Sequence, residues 1–478
     1  MARVGYLCAN YRKQMSVYQI KFGTDGWRAV IAEAYTVENL RRISRATAIW
    51  MKSKGMKSAL IGHDCRFGGQ IFLEETARIL ASEGIRVWAA KGFVSTPMVS
   101  LGVVHHQTDM GIVITASHNP PEYNGYKLKS SYGGPTTPAE IAEIEKCIPD
   151  HSGDEPGRLD SYSDLIQWID LEDLYLQRVR DSFDLESIQK KSNLAYDAMY
   201  GAGQSVMKAL FPNLKAFHCE WNPGFNGTAP EPITKNLQEI MTYLASHPDQ
   251  YIGVANDGDA DRVAMIDPGG KLIDSHHILL LLLRYLVEEK NMTGELAISF
   301  SVTNKMQRLA DHYGLKTHIT RIGFKYIAEL MVQRDILVAG EESGGLAVKG
   351  HIPERDGIWI ALTVLEYVAR SGKTIQTLIQ EIYDLVGSFY YDRLDLKLWP
   401  EQMDAVKSQL ASGIRGQWGN FRTSKYEDLD GHKYYFDHDN WLMFRLSGTE
   451  PVLRIYAQGR DETECKAILD AAVKELNL

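Results

Sequence analysis

Cysteine is scarce in this chain: Cys8, Cys65, Cys147, Cys219 and Cys465 are scattered through 478 residues and odd in number. None falls at metal-ligand spacing, so a disulfide-built secreted scaffold and a cysteine-rich zinc site are both excluded. A reducing, cytoplasmic setting is expected instead. Long apolar stretches are also missing. The longest run, Ile278 to Leu283, is far too short to span a bilayer. Positive charge is in deficit, with 52 Lys and Arg against 61 Asp and Glu, a net charge of -9. Neither nucleic acid nor an anionic membrane is therefore an expected partner, and any phosphate site must gather its cations locally. There is no short-period repeat and no low-complexity tract. The N-terminal "MARVGYLCANYRKQM" lacks the apolar centre of a signal peptide. It reads as a loose extension, with Met15 an alternative start and order beginning near Val17.

What is present is an ordinary globular composition, 44% hydrophobic and 24% charged. At this length one core is not enough, and about three or four domains are expected. Strand and helix patterns alternate. "SALIGHD" and "GIRVWAA" read as strands flanking a helix over 70–83, and "MGIVITASH" reads as another strand. The same plan returns in "NLAYDAMYGAG", "KAFHCEW" and "YIGVANDGDADRVAMID", and again in "ELAISFSVT", "THITRIGFKYI" and "ILVAGEESGG". Such alternation predicts mostly parallel sheets. The last ninety or so residues differ, with antiparallel strand patterns around "KYYFDHDNWLMFRLSGTEPVLRIYAQG" and a closing amphipathic helix. Three related α/β mixed-sheet domains and a C-terminal α+β domain follow, divided as 1–162, 163–272, 273–386 and 387–478.

Several strand ends carry chemistry. "ITASHNP" places Ser117, His118 and Asn119 where a buried strand hands over to a loop, the usual place for a ligand in an open α/β sheet. Taken alone, Ser117 fits a nucleophile, a phosphate ligand or a turn residue. In "NDGDADR", Asp257, Asp259 and Asp261 alternate with small residues between two apolar segments. Carboxylates brought to one point repel unless a cation sits among them, and hard oxygen ligands suit Mg²⁺. No helix precedes this loop and no glutamate closes it, so it is not an EF-hand. An acidic hairpin turn is the plainer alternative, but a turn needs no such run of aspartates. "GEESGG" offers Glu341 and Ser343 as hydrogen-bonding groups for vicinal hydroxyls, in a loop whose glycines allow close approach. "FRLSGTEPVLR" gathers Arg445, Ser447, Gly448 and Thr449 into a tight loop suited to a phosphate. Arg28 in "KFGTDGWRA" and Lys127 in "NGYKLK" are further cations, each also readable as an ordinary surface residue.

Together and in this order, "TASHNP", "DGDADR", "GEESGG" and "RLSGTEP" resemble the four signature loops of the α-D-phosphohexomutase superfamily, which includes phosphoglucomutase/phosphomannomutase enzymes. The resemblance runs from Lys21 to the C-terminus. It implies that Ser117 is a phosphoserine in a loop shaped by His118 and Asn119, and that Asp257, Asp259 and Asp261 hold one Mg²⁺ against it. Arg262 matches the family's arginine beside the metal. Glu341 and Ser343 would read sugar hydroxyls, while Arg445, Ser447, Gly448 and Thr449 would hold the phosphate that is not reacting. Lys127 and Arg28 match positions of proton transfer or charge handling, and Lys325 in "GFKYI" looks like a further substrate contact. The implied reaction interconverts hexose 1-phosphate and 6-phosphate through a hexose 1,6-bisphosphate, with glucose preferred and mannose accepted, in a monomer or homodimer. Phosphoglucosamine mutation and a catalytically silent sugar-phosphate binder are the alternatives. An alkaline-phosphatase-like hydrolase lacks the histidine cluster its zinc would need.

Overall fold

The computed structural model describes residues 17–478 apart from 24, 249–250, 412, 414 and 447–450. The expected N-terminal extension lies outside these residues. Four main sheets follow one another along the chain. The first orders Trp27–Val30, Tyr123–Ser130, Met110–Ile114, Ser58–His63, Arg86–Ala90 and Ile166–Ile169. Met110–Ile114, Ser58–His63, Arg86–Ala90 and Ile166–Ile169 pair in parallel, whereas Tyr123–Ser130 is antiparallel both to Met110–Ile114 and to the edge strand Trp27–Val30. The second orders Leu272–Ile273, Val263–Ile266, Tyr251–Asn256, Asn193–Asp197 and Lys215–Phe217. The third orders Thr317–Thr320, Glu295–Ser299, Ile336–Gly340 and Leu346–Val348, again mixed. The fourth is wholly antiparallel, built from Tyr390–Lys397, Val452–Gly459, Trp441–Leu446, His432–Tyr435 and Lys425–Glu427, with the helix Glu462–Glu475 on it. This is the expected class: mixed α/β sheets, then an α+β domain.

Two details differ from the sequence reading. Ile166–Ile169, expected in the second domain, pairs in parallel with Arg86–Ala90 and completes the first sheet. Non-local pairing, not sequence position, decides where so short a strand belongs. "THITRIGFKYI" is a strand only over Thr317–Thr320, because Gly323 at φ 129 turns the chain into the helix Phe324–Gln333.

The apolar run Ile278–Leu283 lies in the helix Ser275–Arg284, capped by the Asp274 side chain on the His277 N–H. It is buried on all sides because the helices Lys305–His312, Gly357–Ser371 and Ile375–Val386 and the strand Ile336–Gly340 pack around it. Each such side chain contributes roughly 1.5–3 kcal/mol. The helix Gly357–Ser371 also packs on Val263–Ile266, so one apolar cluster runs through the first three domains. No helix among the described residues is long and apolar enough to cross a membrane.

The outcome of this packing is positional. Met110–Ile114, Tyr251–Asn256 and Ile336–Gly340 are inner strands of their sheets, and each runs directly into a polar loop.

Candidate active site

Ser117 follows the buried strand Met110–Ile114 and is itself buried, in the left-handed region at φ 53. Its Oγ donates to Asp257 Oδ2 at 2.7 Å, and its N–H donates to Thr115 Oγ1 at 2.9 Å. His118 Nδ1 lies 3.3 Å from Ser117 Oγ, and the other ring nitrogen is 3.5 Å from Arg262 Nη2. Burial, with Arg262, Arg28 and Lys127 nearby, holds this imidazole well below its usual pKa, so it is neutral. Arg28 donates to Asn119 Oδ1 at 2.7 Å, which ties the edge strand to the serine loop.

The aspartate loop meets the serine from the second domain. Asp257, Asp259 and Asp261 are fully buried, with one carboxylate oxygen of each lying within 4.8 Å of the others. Neighbours on several sides hold the loop in place. Thr96 N–H donates to Asp259 O, Ala202 N–H to Gly258 O and Gly357 N–H to Ala260 O. Asn256 bridges the base of the loop, accepting from Tyr196 and donating to Arg262 O. A Cβ at Gly258 would sit 2.5 Å from Ser117 O, so only glycine lets the two loops come this close.

Lys127, opposite Val113 on the neighbouring strand, is the cation among these carboxylates. Its Nζ lies 2.8 Å from Asp259, 3.1 Å from Asp261 and 2.9 Å from Asp25. Burial works against its charge, but Asp25, Asp259 and Asp261 more than offset this and hold its pKa raised. Arg355 reaches Asp261 at 2.8 Å and Asp25 at 2.5 Å, and Lys129 pairs with Glu354 behind it. Asp257 differs: among the described residues no ammonium or guanidinium lies within ion-pair distance of it. Burial and the repulsion of Asp261 and Asp259 push its pKa well up. Asp259 Oδ1 and Asp261 Oδ1 are buried without a hydrogen-bond partner. Orphaned carboxylate oxygens beside an uncompensated carboxylate are the donor set a hard divalent cation requires.

The sugar-loop candidates sit beside this cluster. Gly344, at φ 90, accepts from Val263 N–H at 3.1 Å, which joins the loop to the strand leaving the aspartate loop. Glu341 is buried and its Oε1 accepts from Gly323 N–H at 2.7 Å. Burial and neighbouring Glu342 raise its pKa to about 7, opposed by Arg355. Glu342 is held by the Ser299 and Ser301 hydroxyls. Ser343 is half-buried in the same loop. Lys325 lines a cavity of ≈190 Å³ together with Asp25, Gly26 and Glu145, so it faces the first domain. Arg445 lies 3.4 Å from Asp430, whose other oxygen accepts from Ile322 N–H in the third domain. Ser447, Gly448 and Thr449 lie outside the described residues.

Sequence reasoning missed Asp25, Arg66, Thr96 and Arg355. Asp25 stands in the same "GTDG" turn that drew attention to Arg28, and Arg355 in the charged "PERDG" just before a helix. No local signal marks Arg66 or Thr96.

Comparison with known proteins agrees with this geometry. Models of phosphoglucomutase/phosphomannomutase match in chain order: alpha/beta/alpha domain I over residues 19–153, domain II over 173–270, domain III over 274–386 and the C-terminal domain over 400–475. A phosphoglucomutase/phosphomannomutase of Thermococcus kodakarensis is 29% identical over 467 residues, covering 95% of this chain and 98% of its own. A phosphoglucosamine mutase of Methanococcus maripaludis is 28% identical, with 95% and 97% covered. A crystal structure from Thermus thermophilus, provisionally designated a phosphomannomutase, is 32% identical with a TM-score of 0.86. It covers 97% of this chain and 100% of its own. The chain belongs to the phosphoglucomutase/phosphomannomutase family of the α-D-phosphohexomutase superfamily, and it is a phosphohexomutase.

Proposed function

We propose that the chain interconverts hexose 1-phosphate and hexose 6-phosphate through a phosphoserine at Ser117, with glucose phosphates preferred. The observation that carries this is the contact of Ser117 Oγ with Asp257, beside the unpartnered oxygens of Asp259 and Asp261. Asp257, Asp259 and Asp261 would hold Mg²⁺, which when bound neutralises phosphoryl oxygens.

The residues divide the remaining work. In the first half-reaction a sugar hydroxyl oxygen attacks phosphorus, the Ser117 Oγ–P bond breaks, the hydroxyl proton ends on the released Ser117 Oγ, and a hexose 1,6-bisphosphate results. His118, neutral and 3.3 Å from Ser117 Oγ, is placed to exchange the serine proton. Lys127 is the wrong group for a base here, because its carboxylate partners keep it protonated. Its role is to carry positive charge at the transferring group, with Arg28 and Arg262. The bisphosphate then reverses, and its other phosphoryl group returns to Ser117. Glu341 and Ser343 must therefore accept hydroxyls in two orientations, while Arg445, Ser447, Gly448 and Thr449 hold whichever phosphate is not reacting. Lys325, across the cavity from Asp25, is a further phosphosugar contact. Burial of the serine and the aspartates keeps out the water that would hydrolyse the phosphoserine.

Glu342 is not expected to set substrate choice, because the Ser299 and Ser301 hydroxyls hold its carboxylate. Glu341 and Ser343 would grip hydroxyls common to glucose and mannose, so one neutral hydrogen bond, about 1 kcal/mol, separates the two. Glucose 1-phosphate is the expected best substrate, with measurable mannose 1-phosphate turnover and weaker glucosamine 1-phosphate turnover. The second reading, a phosphoglucosamine mutase, draws on relatives so named across 95% of the chain. The ratio of kcat/KM for the three sugar phosphates decides. A glucosamine value above the glucose value would replace the first reading with the second.

A further inference from the structure

The Ser117 backbone occupies a region that costs a non-glycine residue roughly 1–3 kcal/mol, so the surroundings must impose it. The group that does so is not in the loop. Arg66 Nη2 donates to Ser117 O and to Asn119 O, both at 2.6 Å. Its Nη1 donates to Pro120 O at 2.8 Å and Tyr123 O at 3.0 Å. One guanidinium thus binds carbonyls spread across the whole serine loop. Its side chain has no exposure, and the only carboxylate in ion-pair range among the described residues is Asp64, at 3.3 Å. Asp64 is shared: it also accepts from Arg66 N–H at 2.9 Å and from Thr115 Oγ1 at 2.5 Å. Thr115 Oγ1 in turn receives the Ser117 N–H. Carbonyl dipoles are therefore the main solvation of a buried positive charge.

The far face of this guanidinium is covered from another domain. Phe225 lies under it, with the guanidinium carbon 4.9 Å from the ring centroid. Phe225 is itself buried and packs with Cys65 and Ala202 in a small cluster between the first and second domains. The second domain also brings Gly258 against Ser117 O. We propose that Arg66 is a positioning residue for phosphoryl transfer: clamped by Phe225, it sets the serine loop so that Ser117 Oγ faces the aspartate loop. The inference rests on the reading of Ser117 as the phosphorylated residue. Nothing about it requires Arg66 to touch substrate.

A lysine at position 66 keeps the charge but offers its donors at one point, and cannot reach carbonyls of Ser117, Asn119, Pro120 and Tyr123 together. The test compares wild type, Arg66→Lys and Phe225→Leu. Phosphoserine content is counted by intact mass, and transfer to glucose 1-phosphate is followed in a single turnover and in the steady state. Misplacing a nucleophile by about 1 Å costs on the order of a hundredfold. The rate per phosphoserine is therefore expected to fall about 10- to 100-fold in Arg66→Lys, with KM within about threefold of wild type. Phe225→Leu keeps apolar bulk without the ring face and is expected to lose about three- to tenfold. A merely structural role would lower the folded fraction and leave the rate per phosphoserine unchanged. Folded Arg66→Lys with a wild-type rate per phosphoserine overturns the inference. Where Arg66→Lys does not fold, a wild-type rate in Phe225→Leu does the same. Wild-type protein that never carries a phosphoryl group on Ser117 would remove the underlying reading, and the inference with it.

Discussion

Replacing Asp259 by asparagine separates a metal-binding role from a structural one, because the side chain keeps its size and loses one charge. Oδ2 accepts from Lys127 at 2.8 Å and from Thr96 at 2.5 Å, while Oδ1 is buried without a partner. The amide must therefore orient its oxygen towards the two donors and its NH₂ towards the place where Oδ1 stood. Lys127 keeps Asp25 at 2.9 Å and Asp261 at 3.1 Å, so it stays charged. Exchanging a charged acceptor for a neutral one there costs about 1–2 kcal/mol, and in a chain of this length the thermal midpoint should move by only about 1–2 °C. On the other side, a hard anionic oxygen becomes a donor aimed at the cation position. Losing such a preorganised electrostatic partner costs about 2.7–4 kcal/mol, or 10²–10³ in kcat. The expected result is a folded protein whose turnover falls by that factor even at saturating Mg²⁺. A coupled assay of glucose 6-phosphate formation across a Mg²⁺ titration, with circular dichroism in parallel, measures both. Near wild-type kcat at low Mg²⁺ would refute the reasoning, as would activity lost only in step with the fold.

Other outcomes follow from the same geometry. Intact mass of purified wild type should show a population heavier by one phosphoryl group, missing in Ser117→Ala; equal masses would remove the phosphoserine. Arg445→Ala should raise KM about tenfold or more, because a charge-assisted phosphate partner is lost. A lower kcat should accompany this, and an unchanged KM would move the distal phosphate elsewhere. Burial and Glu342 raise Glu341 from an ordinary 4.5 to about 7, so the folded state binds the proton more tightly than the unfolded state does. Stability should then fall as pH rises from 4.5 through about 7. Denaturant titrations of Glu341→Gln should lack that slope, and an identical slope in the variant would assign it to another group.

The strand-end loops were legible because the sequence marks both a strand and its interruption. The apolar stretches before Ser117, Asp257 and Glu341 run straight into residues that a buried strand would not choose. Glu342, next to Glu341 in the same loop, carried no such mark, and only the Ser299 and Ser301 contacts show where its carboxylate goes. What could not be read was the partner set. Arg66 and Arg355 look like ordinary surface arginines, since a lone arginine usually is one. Their burial depends on residues far away in the chain: Arg355 meets Asp25 across 330 positions and Arg66 meets Ser117 across 51. Lys127 was legible as a cation but not as one surrounded by carboxylates. The edge strand Ile166–Ile169 failed for the same reason, because only its partner Arg86–Ala90 places it. Residue type carries the chemistry locally, whereas location is a property of the whole packing.

The charge of the cluster follows from that division. Asp25, Asp257, Asp259, Asp261 and Glu354 face Lys127, Lys129 and Arg355, with Arg28 and Arg262 also close enough to act on these carboxylates. Asp257, which has no cation within ion-pair distance among the described residues, shows its burial beside Asp261 and Asp259 as a raised proton affinity. A phosphoryl group on Ser117 would add about 1.5–2 further negative charges next to that same carboxylate. Lys127 and Arg355 cannot answer it alone, because each is already shared between carboxylates. A divalent cation held by Asp257, Asp259 and Asp261 would set positive charge beside the one carboxylate of the loop that has no ion-pair partner and beside a phosphorylated Ser117, and so would suit both states of the serine. The place of Asp257 in the cluster thus points the same way as the ligand type, towards a hard divalent cation.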